Sequence, residues 1–575
     1  MTVGELDGVA GVVSAVVAGD DVEAIGEEVD DFSLSLVSPL PSENGRDFHG
    51  EESYQLSALG RELITDSLFR VKRLLLTGSH FTLEDLADVA HRRVRVALAP
   101  SARRAMSASR RTVEDAVRTG ERVYGITTGF GRFADVTIPR EKLSELQGNL
   151  IRSHAAGVGN PLPDEAVRGM IALRANALAA GLSGVRVSTV ERLLALLAAD
   201  VLPVVPEKGS VGASGDLAPL SHLALGLMGE GSVRRNGRII PAARALRDAR
   251  LAPVELEAKE GLALINGVQM SVAVGGLALL RAIRLARVAD VAGAASLDAA
   301  RGSDAAFDRR VIAARPHPGA VASAGNLRRL LAGSAIRESH RGCGKVQDNY
   351  ALRCMPQVHG AARDAFEHAR SVLEREMNSA TDNPLVFARG GDVISGGNFH
   401  GAPVGYVLDY AAMAAADLAS ISERRIEKLV NPTLSDLPAF LIEEGGVHSG
   451  LMMAQVTAAA LVSECKTLAH PASVDSIPTS AAKEDHVSMS PIAARKLAGI
   501  VENLALVLGI ELTVAFQAME FLRPLASSPR IERVRRAFRK VVAAWISDRQ
   551  LAPDLVAARA FVDSDEVSKV LATLA

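Results

Sequence analysis

The chain has 575 residues, of which 48% are hydrophobic and 23% charged, ordinary values for a soluble globular protein with room for a large buried core. A formal net charge of −3 offers no basic face, which sets nucleic acid aside as a partner. Aromatic residues make up only 4%, so Ala, Leu and Val must fill the interior, which suits close-packed helices. Cys343, Cys354 and Cys465 have neither metal-ligand spacing nor a disulfide framework, and they fit a reducing cytoplasm.

In chain order, residues 1–60 set many carboxylates against Arg46, and Ser-Pro-Leu-Pro-Ser-Glu-Asn-Gly (38–45) is a loop signal. Residues 1–70 read as an acidic, disordered extension, with a mildly apolar stretch at 9–17 that suits a short docking helix. No basic segment followed by an apolar core marks a signal peptide. Residues 71–575 read as one domain in which helical signals dominate. Thr82 and Asp85 form a capping-box variant that opens a helix near Leu83. Ala/Leu-rich segments at 172–199, 277–300 and 497–519 extend the helical pattern. Residues 261–280 carry no charge and are long enough to span a bilayer. Asn266, Gln269 and the adjacent Lys259-Glu260 argue instead for a buried segment beside a site, so no membrane partner is expected. Leu418, Ile421, Ile426 and Leu429 form one helical stripe, with Glu423, Arg424, Glu427 and Lys428 largely outside it, and Asn431-Pro432 ends that helix. The expected fold is mainly α, a bundle of long helices whose loops carry the chemistry.

Among those loops, Gly209-Ser210-Val211-Gly212-Ala213-Ser214-Gly215-Asp216 stands out. In a tight enough turn, the Gly215 amide nitrogen can attack the Ala213 carbonyl carbon and close a five-membered ring. Loss of water from the ring and from Ser214 leaves an exocyclic methylidene, the electrophile 4-methylideneimidazol-5-one (MIO). Glycines permit backbone angles that a Cβ forbids. Asp216 is placed as the N-cap of a helix through Leu217-Ala218-Pro219-Leu220, which aims the positive helix end at the site.

Further blocks accompany this turn: VYGITTGFG (123–131), RSHAAGVG (152–159), KEGLALINGVQ (259–269), VQDNYALRCMPQVHG (346–360), SGGNFHG (395–401) and HPASVDSIPTSAAKEDHVSM (470–489). From about Leu74 to the C-terminus the chain resembles the MIO-dependent aromatic amino-acid ammonia-lyases and aminomutases, most closely the histidine ammonia-lyases. The resemblance implies the long-helix bundle of the histidine and phenylalanine ammonia-lyases. It also implies a cofactor made from Ala213, Ser214 and Gly215, with no metal or diffusible coenzyme, and a homotetramer whose sites draw on more than one subunit. Tyr124 is then the base for the β-proton, on a loop made mobile by Gly125, Gly129 and Gly131. Arg353 grips the substrate carboxylate, and Tyr350, three residues before it, assists proton traffic. Asn266 hydrogen-bonds the MIO carbonyl, Gln347 supports that network and Phe399 packs beside the ring. His154 and Glu484 match the histidine-lyase pattern and suit the two nitrogens of an imidazole.

The implied reaction is deamination of L-histidine to trans-urocanate and ammonium. Lys483, where glutamine is usual, stands beside Glu484 and lowers its carboxyl pKa if the two pair. Ala402, Val268 and Thr127 also depart from the usual residues in ways that bear on the ring pocket. Another aromatic amino acid, or a 2,3-aminomutase outcome, is the alternative. A non-catalytic scaffold using the acidic extension is a third reading, opposed by intact Ser214, Tyr124 and Arg353.

Overall fold

The computed structural model describes residues 72–574. The acidic extension expected over 1–70, with its docking helix, lies outside the described residues.

The body is built on five long helices: α1 Gln269–Ala299, α2 Met355–Met377, α3 Ala402–Val430, α4 Met452–Leu468 and α5 Ser490–Glu520. Helix α5 is the axis. It packs along α1 and α3, and also against α4 and the helix Ala552–Val562. Small residues allow this closeness: Ala289, Ala292 and Ala295 on α1 and Ala411, Ala412 and Ala415 on α3 are fully buried. Leu504, Leu508 and Leu512 of α5 fill the spaces between them.

Polar side chains pin the helices in register. Glu511 of α5 accepts from Arg425 Nε of α3 (2.5 Å), Arg425 Nη2 (3.0 Å), Ser296 Oγ of α1 (2.7 Å) and the Ser422 hydroxyl of α3. Arg425 Nη1 donates to His359 Nε2 of α2 at 3.3 Å, so His359 Nδ1 carries the hydrogen given to Asp290 Oδ1 of α1 at 2.8 Å. Four helices thus share one buried network.

The expected elements mostly appear, with informative differences. Thr82 Oγ1 accepts from the Asp85 N–H (3.1 Å) while Asp85 Oδ2 accepts from the Thr82 N–H (3.2 Å), completing the capping box of Leu83–Ala90. The segment 172–199 is two helices, Asp164–Ala179 and Val187–Ala198, broken where Gly181 and Gly184 adopt positive φ. The uncharged segment 261–280 is buried, and it bends at Asn266-Gly267-Val268 between Glu260–Ile265 and α1. Helices α3 and α5 are long and apolar enough to cross a membrane, but each is packed into the core of the bundle. Glu423, placed outside the apolar stripe, is buried and accepts from Gln455 Nε2 of α4 at 2.8 Å. The described residues also contain four small sheets, including Lys72–Leu76 paired in parallel with Val94–Leu98.

Candidate active site

The turn 209–216 joins the strand Pro206–Lys208 to the helix Leu217–Leu227 and is held from three sides. The Ser488 hydroxyl donates to the Gly212 carbonyl (2.9 Å), the Met489 N–H to the Val211 carbonyl (2.8 Å) and the Asp216 N–H to the Gly267 carbonyl (2.7 Å). Gly215 has φ +79°, and a Cβ there would lie 2.3 Å from the Gly267 carbonyl oxygen. Only glycine fits that approach. Asp216 occupies the N-cap position, but its side chain does not cap its own helix. Its carboxylate instead accepts from the Ser271 N–H (2.7 Å) and Ser271 Oγ (2.9 Å), in the first turn of α1. A partner 55 residues away in sequence outcompeted the local one. Burial pushes the Asp216 carboxyl up to about 6, partly offset by those Ser271 bonds.

The turn opens onto a cavity of about 380 Å³, a size that suits an amino acid. Ala213, Ser214, Tyr124, His154, Asn266, Phe399 and Glu484 all line it, so seven of the expected site residues meet there. Ser214 Oγ donates to Glu484 Oε1 at 2.6 Å, across 270 residues of chain, and Thr479 Oγ1 donates to Oε2 at 2.7 Å. His154 Nδ1 lies 2.9 Å from the Leu150 carbonyl, which can only accept. Ser153 Oγ lies 3.0 Å from the same nitrogen, and the tautomer with its hydrogen on Nδ1 would satisfy the carbonyl and leave the lone pair on Nε2. Tyr124 OH accepts from the Gly131 N–H at 3.4 Å, tying both ends of the glycine loop together. Asn266 is 2% exposed; its Nδ2 donates to the Asn383 carbonyl (3.1 Å), while its Oδ1 has no partner.

Gln347, Tyr350 and Arg353 are not brought into this cavity within one chain. Gln347 and Arg353 line a separate cavity of about 500 Å³ with Arg301, Arg337 and His340. Tyr350 is 70% exposed. The expected shared face of Tyr350 and Arg353 is present, since the guanidinium lies 4.7 Å over the tyrosine ring on the short helix Tyr350–Arg353. Among the described residues no carboxylate forms an ion pair with Arg353, and its Nε is buried without a partner.

Of the departures from the family pattern, only Lys483 lines the cavity. It forms no ion pair with Glu484, whose oxygens are taken by the two hydroxyls. Thr127 accepts from the Val123 N–H (2.9 Å) and donates to the Glu121 carbonyl (2.5 Å), so it braces its own loop. Val268 is buried at the N-cap of α1, and Ala402 begins α3.

Sequence reasoning missed Asn383 and the pair His400 and His486, which also line the cavity. The two imidazoles lie parallel, 5.8 Å apart, and His400 Nε2 is 3.1 Å from the His486 carbonyl. Both lay within quoted blocks, so the signal was present without a reason to rank them. Asn383 acts through its backbone carbonyl, which no side-chain pattern reveals.

Residues 81–540 match the aromatic amino acid lyase family. A histidine ammonia-lyase of Anaeromyxobacter sp. (strain K) is 54% identical over 503 residues, covering 86% of this chain and 99% of the relative. The crystal structure of histidine ammonia-lyase from Trypanosoma cruzi superposes with a TM-score of 0.81 at 44% identity, covering 87% of this chain and 95% of that one. The crystal structure of tyrosine aminomutase from Streptomyces globisporus superposes with a TM-score of 0.83 at 36% identity, covering 87% and 99%.

Proposed function

The chain belongs to the aromatic amino acid lyase family, and on that footing we propose that it deaminates L-histidine to trans-urocanate and ammonium in the cavity beside Ser214. The observation that carries this reading is the 2.6 Å contact between the Ser214 hydroxyl and Glu484, in one cavity with Tyr124 and His154.

The residues fit an MIO group formed from Ala213, Ser214 and Gly215. Gly215 holds a positive φ where a Cβ would collide, and Asn266 Nδ2 gives one hydrogen to the Asn383 carbonyl while its second remains for the ring carbonyl. Once formed, that group supplies an electrophilic carbon for the substrate amine. Its formation removes the Ser214 hydroxyl as water, which frees Glu484 Oε1 for a hydrogen-bond donor. The imidazole N–H of histidine fills that place, while His154 Nε2 offers its lone pair to a protonated ring nitrogen or to the amine. Tyr124, which lines the same cavity, takes the β-proton through its phenol oxygen. Leu150, Leu217 and Leu262 line the same space and exclude water from the ring.

Arg353 and Tyr350 enter this reading from a second copy of the chain, as a homotetramer provides. Their placement off the cavity supports this, as do the apolar side chains Met453 and Val456, which are exposed on helix α4. Three free cysteines support a cytoplasmic setting.

The test is incubation with L-histidine, L-phenylalanine and L-tyrosine separately, with products resolved by chromatography. The expected result is urocanate and ammonium in equal amounts from histidine alone. Turnover of phenylalanine or tyrosine in its place would overturn the substrate assignment, and a β-amino acid product would make the enzyme an aminomutase.

A further inference from the structure

We propose that the buried Lys259–Asp382 ion pair is a positioning relay that fixes which end of the Asn266 carboxamide faces the Ser214 turn. The proposal rests on the cavity being the active site, and it gives a task to the lysine of the KEGLALINGVQ block.

The relay is continuous. Lys259 Nζ donates to Asp382 Oδ2 at 2.5 Å, with both side chains sealed from solvent. Asp382 Oδ1 accepts from the Asn383 N–H at 2.7 Å, and the Asn383 carbonyl accepts from Asn266 Nδ2 at 3.1 Å. A carboxamide presents a donor at one end and an acceptor at the other, and rotation by half a turn exchanges them at little steric cost. The Asn383 carbonyl can only accept, so it selects the rotamer that turns Nδ2 toward it, and the second Nδ2 hydrogen stays available to the carbonyl of the Ser214 turn. Holding residues 381–383 in place therefore fixes where the Asn266 donor group sits.

The backbone of Asn266 is held independently. Arg174, fully buried, donates through Nη1 to the Asn266 carbonyl (2.8 Å) and to Gln269 Oε1 (2.9 Å), and through Nη2 to the Ala263 carbonyl. It thus staples the bend between Glu260–Ile265 and α1. Arg174 also lies against the Gly267 backbone, behind the Gly215–Gly267 contact.

Stability alone does not account for the pair. A buried ion pair replaced by apolar groups of similar volume is often neutral or stabilising. Lys259 is also held at φ +75°, a region costly for a residue with a Cβ. A directional hydrogen-bond chain repays both costs, because an apolar filling cannot select one rotamer of an amide.

The experiment compares Lys259→Met, Asp382→Asn, Asn266→Ala and the double variant Lys259→Met/Asn266→Ala as intact enzyme. Each is measured for kcat and KM with histidine and for its near-ultraviolet difference spectrum against Ser214→Ala. The expected result is a kcat about 10- to 100-fold lower in Lys259→Met with KM within about threefold. Its spectrum shifts in the direction produced by Asn266→Ala, and the double variant matches Asn266→Ala alone. Wild-type kcat and spectrum in a folded Lys259→Met, or losses that multiply in the double variant, would overturn the relay. If Lys259→Met does not fold, the isosteric Asp382→Asn decides by the same criteria. A wild type that forms no urocanate would instead sink the functional reading, which separates the two failures.

Discussion

Two carboxylates near the turn show how position sets chemistry. Glu484 faces the cavity with hydroxyl donors on both oxygens, whereas Asp216 is sealed behind the turn with Ser271 as its partner. Replacing Glu484 by Gln keeps the shape but removes the charge that, in the proposed function, holds an imidazole N–H. The expected rise in KM for histidine is about 10- to 100-fold, read from steady-state kinetics, with a smaller change in kcat. Asp216 governs stability rather than binding. Its carboxyl titrates at about 6, above the ordinary 3.8, so the folded protein holds this proton more tightly than the unfolded chain. The stability this contributes is full below about pH 3.8 and is lost as pH rises through about 6, about 3 kcal/mol in all. Glu376, pushed up to about 7 by burial and then by Asp216, acts in the same sense. Denaturant titrations from pH 4 to 7 should therefore show a shallower decline in Asp216→Asn than in wild type. An equal slope would remove Asp216 from the account. The reactive turn and the cavity residues were legible because each sits in a block with its own chemical logic. The true partner of Asp216 was not, since capping rules look a few residues ahead and Ser271 is not there.

At the level of helices, long Ala/Leu periodicity made the bundle legible, while its interruptions were harder to read. The bend at Asn266-Gly267-Val268 is buried on every side, so no change in polarity marks it in the sequence. Glu423 read as lying largely outside the apolar stripe, yet it is buried because α4 supplies a partner for it, as α5 does for its neighbour Arg425. A stripe rule measures one helix and cannot see what its neighbours offer. Arg425 and Glu511 are each sealed from solvent, and removing one leaves the other charged and unpaired. Arg425→Met is expected to cost about 3–5 kcal/mol. The matched double replacement of both residues by apolar groups should recover most of that loss, as read by thermal and denaturant unfolding. Single and double variants of equal stability would contradict the network.

At the level of the assembly, the cavity of one chain holds Ser214, Tyr124, His154 and Glu484, but not Arg353. No single-chain sequence signal could place Arg353, because its partner surface belongs to another copy in the proposed tetramer. Mixing inactive Ser214→Ala with inactive Arg353→Ala, after dissociation and reassembly, should restore part of the wild-type activity. Mixtures as inactive as their parents would confine each site to one chain. The carbon–nitrogen lyase chemistry itself depends on whether the turn at Ser214 cyclises. Intact-mass and peptide-mass analysis of the purified protein tests this most directly. The expected result is a deficit of two waters confined to the peptide containing Ala213-Ser214-Gly215, absent in Ser214→Ala; an unmodified mass, in folded protein, would contradict cyclisation.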